Sequence, residues 1–213
     1  MTGRPIEAGF TFVELIMFVV IVSIGVAGIL SVFYVTTQKS ADPAARKQMI
    51  AIAEAMLEEV ELMPFTYCDP DDPQAATAIS ATVGAGGCLV RVEAIGRDTT
   101  FSGPGPVVYQ PNDETRESTD SAFDNVNDYN GFDTNTGGLG VRDPSGALAG
   151  PAGYRAVVSV TAAVLGTGAT PIAALDANSA PQSLLINVTV TSPRGESITL
   201  SGYRTRYAPA SPP

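Results

Sequence analysis

From Leu15 to Val35 the chain reads LIMFVVIVSIGVAGILSVFYV, 21 residues without a charge. At about 1.5 Å of rise per residue, such a run makes about 31 Å of helix, the thickness of a bilayer's hydrocarbon core. A secretory signal has an apolar region of only about 7 to 15 residues with a small-residue cleavage site close behind it. Here Ser40 and Ala41 come too late to serve. The run therefore reads as a transmembrane helix, and the rest of the chain must fold outside the bilayer.

Composition narrows what that remainder can do. The chain has no His, which excludes Ser/His/Asp and Cys/His nucleophilic sites, His-ligated zinc and an imidazole base. Twelve Lys and Arg against 22 Asp and Glu give a net charge of −10, the wrong sign for a nucleic-acid partner bound through its phosphates. Most of the excess lies between Cys68 and Asp133, where 12 acids face three bases, Arg91, Arg97 and Arg116. A solvated acidic surface accounts for this block, and a cation site is the sharper reading.

What precedes the apolar run is unusual: Gly9-Phe10-Thr11-Phe12-Val13-Glu14, with an acid at the threshold of the membrane helix. An intramembrane carboxylate costs about 2.5 to 3.5 kcal/mol near a helix centre and less near an end. Two readings of Glu14 are open on the residues alone. It snorkels to the headgroups or caps the helix start, or else it awaits a partner of opposite charge.

This pattern of Gly9, Phe10 and Glu14 ahead of a long apolar run resembles the processing region of type IV prepilins and pseudopilins. The resemblance implies cleavage between Gly9 and Phe10 by an inner-membrane prepilin peptidase, with methylation of the new Phe10 terminus. It makes Glu14 the fifth mature residue, whose carboxylate pairs with the terminal amine of a neighbouring subunit during filament assembly. Two charges that are each costly in apolar surroundings then offset one another. The leader carries one base, Arg4, and one acid, Glu7, and the amino-end-inside orientation comes from the resemblance rather than from charge.

Beyond the bilayer the helix continues in an amphipathic half. Met49, Ala53, Met56, Val60 and Met63 fall on one stripe with Ile50 and Leu57 beside it, while most charges lie elsewhere. Asp42-Pro43 is expected to start or kink this half, and Pro64 to end it. Gly25 and Gly28 either loosen the membrane segment or allow close helix packing. Strands are expected at Gly87–Ile95, Tyr154–Leu165, Leu184–Thr191 and Ser197–Tyr207. The last two are joined by Ser192-Pro193-Arg194-Gly195 as an antiparallel hairpin. The stretch from about Ser102 to Gly153 reads as a long irregular loop.

Within that loop Asp124, Asp128, Asn130 and Asp133 offer the closely spaced oxygen ligands that calcium uses, although the EF-hand register fails. An Asx-turn-rich loop pinned by its aromatics and a partner-binding surface are the other readings. Cys68 and Cys88 are the only cysteines. In an oxidising compartment they are expected to form a structural disulfide rather than a reactive thiol, since the Cys68 surroundings are acidic.

The Ala41–Leu62 segment, the Phe123–Phe132 loop and the closing Thr199-Leu200-Ser201-Gly202-Tyr203-Arg204 resemble a group of minor pilins, the D-type component of mannose-sensitive haemagglutinin (MSHA) pili. The expected fold is α+β and pilin-like, a long N-terminal helix packed on an antiparallel sheet of about four strands. Residues 1–9 form the leader, 10–35 the transmembrane half, 36–64 the amphipathic half and 65–213 a periplasmic head. The resemblance implies a structural subunit in the inner membrane and later a pilus. Its partners would be prepilin peptidase, other pilin subunits and the assembly machinery, with no catalytic residue and no nucleic acid. A type II secretion pseudopilin is the nearest rival; a calcium- or ligand-binding adhesin-like head and an anchored enzyme are more distant.

Overall fold

The computed structural model describes residues 9–97, 114–119, 121–135 and 140–206, with the side chains of 37–42 left aside. The chain divides into two units, Met1–Arg46 and Lys47–Pro213. Helix α1 (Phe12–Leu62) runs through the described residues of the first and supplies the opening element of the second. Pro43 lies inside α1, so the helix takes up the proline rather than beginning there. The helix ends at Leu62, two residues before Pro64, as expected from the missing N–H and the constraint on the preceding residue.

Three strands follow: β1 (Arg155–Ala162), β2 (Ser183–Thr191) and β3 (Ser197–Thr205), antiparallel in the order β1-β2-β3. The β2–β3 hairpin forms as expected. Its turn closes with Ser192 N–H donating to Glu196 O at 2.8 Å, and Gly195 takes φ +86°, which a residue with a Cβ rarely adopts. In β2 every second residue is buried, and the register sets Ile186 opposite Val160 and Val188 opposite Val158. That face meets Met49, Ala53, Met56 and Val60 of α1, with Ile198 and Leu200 at its margin. Met63, placed on the same stripe, is only partly buried. The layout is α+β.

The expected strand at Gly87–Ile95 does not form, so among the described residues the sheet has three strands rather than four. Only single bridges occur there, Cys68 with Val92 and Val83 with Cys88. The cause is Asp72, whose buried carboxylate accepts the N–H groups of Leu89, Val90 and Arg91 at 3.0, 2.7 and 3.0 Å. Donors captured by a side chain are lost to a ladder. β1 is also shorter than expected, ending at Ala162, and β3 ends at Thr205, with Tyr207 of the expected strand outside the described residues.

Cys68 and Cys88 form a disulfide with Cα atoms 5.4 Å apart, buried with Ala75 and Ala78 in a small core of its own. It anchors the chain just after α1 to the segment that Asp72 holds.

Candidate functional site

At its amino end the first unit presents Gly9 and Phe10 in the open, Phe10 being 83% exposed. Thr11 acts as the helix cap: its Oγ1 accepts the Glu14 N–H at 3.3 Å, and its carbonyl accepts the Leu15 N–H. Glu14 thus stands in the first turn, where the helix dipole favours an anion. Its carboxylate has no hydrogen bond or ion pair to any described residue. The cap is thus Thr11, and the Glu14 carboxylate takes no part in it.

The helix from Phe12 to Thr36 is long and apolar enough to cross a membrane, and none of it is buried within the chain. Two of its hydroxyls bond back into the helix. Ser23 donates to Val19 O at 2.7 Å and Thr36 to Val32 O at 2.8 Å, so each is satisfied one turn back. Around Gly25 and Gly28 the surface dips into a shallow groove between Ile24, Ile29, Val32 and Phe33. A Cβ at either glycine would meet nothing within 4 Å.

In the second unit, three of the four oxygen-bearing residues expected to hold calcium have separate partners. Asp133 takes Arg155 in a bidentate pair, with its Oδ1 2.9 Å from Arg155 Nε. That guanidinium holds the Asp133 carboxyl below its usual range. Asn130 Oδ1 accepts the Val160 N–H at 3.0 Å, extending the edge of β1. Asp128 Oδ2 accepts the N–H groups of Asp124 and Asn125 at 3.1 and 2.7 Å, closing a capping box on the short 3₁₀ helix η1 (Val126–Tyr129). Asp133, Asn130 and Asp128 are thus each engaged as fasteners of an Asx-turn loop.

Asp124 is drawn instead toward Asp69 and Asp71, and one carboxylate oxygen from each of the three lies within 4.8 Å of the others. Burial, then the negative charges of Glu114, Asp69 and Asp71, push the Asp124 carboxyl up to about 8. Burial also raises Asp128, against the pull of its two backbone donors. Arg91 Nη1 stands 3.9 Å from Asp69 Oδ2 and brings a positive charge to the group.

Sequence reasoning missed a second buried network. Arg116 grips Glu59 of α1 through Nε–Oε1 at 2.5 Å and Nη2–Oε2 at 2.6 Å, and Tyr129 OH donates to Glu59 Oε1 at 2.7 Å. Burial and the Glu59 charge raise the Tyr129 phenol far above its ordinary range. Phe123, Tyr129 and Phe132 pack edge to face around it. Arg116 and Arg142 also line an open cavity of about 500 Å³ with Glu114, Glu117 and Phe132. Only the acid of a polar-face helix residue hinted at this in sequence, since the partners lie 57 and 70 residues away.

The described residues thus combine an acid without a partner among them, at the start of an exposed apolar helix, with a disulfide-linked α+β unit. No family model, curated protein or solved structure matches the chain.

Proposed function

We propose that this chain is a minor type IV pilin-like structural subunit of the MSHA kind, made in a bacterial inner membrane with its head in the periplasm. Prepilin peptidase would remove residues 1–9 and methylate Phe10, and the mature subunit would join other pilins through α1. The observation that carries this reading is Glu14: an exposed carboxylate with no partner among the described residues, in the first turn of a helix whose following run is uncharged and of membrane length. A single-pass anchor has no use for an acid at that depth unless something meets it. A neighbouring subunit's amine, freed four residues upstream by cleavage after Gly9, is of the right charge and lies at the right level. The accessible Gly9-Phe10 bond supports the same step. The role is structural, contributing to assembly, adhesion or motility of the filament.

The test is Glu14→Gln in cells that carry the peptidase and the assembly machinery. The variant is expected to be cleaved and membrane-bound like the parent chain but to be missing from the filament fraction sheared from the cell surface. Recovery in that fraction at the parent level would overturn the reading.

A further inference from the structure

β3 is an edge strand whose outward backbone is open. The hairpin sets the phase: Ser192 bonds Glu196 and Arg206 N–H donates to Gln182 O at 2.9 Å, so the even-numbered residues of β3 face β2. The N–H and C=O groups of Ser197, Thr199, Ser201, Tyr203 and Thr205 therefore point away from the sheet. None of them has a hydrogen-bond partner among the described residues. The opposite edge is treated differently. Along β1, Gly131 N–H donates to Val158 O, Val158 N–H to Phe132 O and Thr134 N–H to Ala156 O, and Asn130 covers Val160. One edge is sealed and the other is bare.

Natural sheets blunt bare edges with proline, bulges or charge. β3 has no proline, pairs with β2 without a bulge over its whole length, and carries one charge, Arg204. Its solvent face is uncharged and internally satisfied, Thr199 bonding Thr189 and Ser201 bonding Asn187. This is a template for a further strand.

We infer that β3 pairs antiparallel with β3 of a second copy of this chain, about a two-fold axis at Ser201. In that register Ser201 faces Ser201, Thr199 faces Tyr203 and Ser197 faces Thr205, so all five outward residues of each strand are used in about ten hydrogen bonds. Polar face continues polar face, and the two three-stranded sheets become one. Charge chooses the same arrangement. Arg204 lies opposite Ile198 rather than another cation, and the partner's Glu196 lies diagonally beside it, within reach of a long side chain. Arg204 has that capacity to spare: its bond is Nη2 to Met63 O at 3.3 Å, and its Nε is unbonded. This pairing is independent of the processing of the amino end.

The test is oxidative cross-linking of the full chain in membranes. Ser201→Cys is expected to give a covalent dimer, and Thr199→Cys to cross-link with Tyr203→Cys on a second tagged copy but not with itself. Thr161→Cys, exposed on β1, should remain monomeric. Ser201→Pro removes an outward N–H and leaves the β2 ladder intact, so it should abolish the Thr199–Tyr203 cross-link. Should Ser201→Pro fail to fold, Glu196→Lys, on the turn, is expected to lower the cross-linked fraction several-fold. A folded Ser201→Cys chain that stays monomeric, cross-links equally at Thr161→Cys, or cross-links to a different protein would overturn the proposal.

Discussion

Arg116, in the acidic loop, and Glu59, on the sheet-facing half of α1, form a bidentate ion pair at 2.5 and 2.6 Å with the arginine side chain 3% exposed. With the Tyr129 hydroxyl on the same carboxylate, it ties the irregular loop to the helix. A buried pair of this kind need not be a net gain over apolar packing, but removing one partner leaves an uncompensated buried charge. Arg116→Met is therefore expected to destabilise the head by about 3 to 5 kcal/mol, and Arg116→Met with Glu59→Leu by much less. Denaturant unfolding of the single and double variants checks both.

The Tyr129 hydroxyl donates to the same carboxylate. Tyr129→Phe keeps the aromatic packing with Phe123 and Phe132 and removes only that donor, so a loss of about 1.5 to 3 kcal/mol is expected, the range for a bond to a charged group. The same unfolding measurement reads it.

Asp124 gives the head a pH dependence with a definite sign. Its folded-state carboxyl is pushed up to about 8, above the ordinary value of 3.8, so between those values the folded chain holds a proton that the unfolded chain has lost. Stability contributed by this group is present below about pH 4 and disappears as pH rises through about 8. Asp124→Asn, which keeps the shape without the charge, should flatten the fall in melting temperature between pH 6 and 8. A parent profile that is already flat there would contradict the assignment.

The Cys68–Cys88 bridge closes a loop with a sequence separation of 20. Chain entropy alone assigns it about 3 kcal/mol. Cys68→Ala with Cys88→Ala is expected to lower the melting temperature and to raise hydrogen exchange at the Glu93 N–H, which bonds Tyr67 O beside the bridge.

What was legible in the sequence was what local periodicity encodes. The membrane run, the Met49–Val60 stripe and the β2–β3 hairpin each follow from spacing within a dozen residues, and each is present. The Gly87–Ile95 segment alternates like a strand, yet a carboxylate at least 17 residues upstream takes its donors. No local pattern announces that. Oxygen-rich spacing likewise does not say which arginine or backbone amide will claim each oxygen. Asp133 went to Arg155 and Asn130 to Val160, partners brought near by the sheet.

The amino terminus of the mature chain, read by mass spectrometry from membranes of cells with their native peptidase, tests the central claim most directly. The account predicts a chain that begins at N-methylated Phe10. An intact Met1, or a cut beyond Val35, would contradict it.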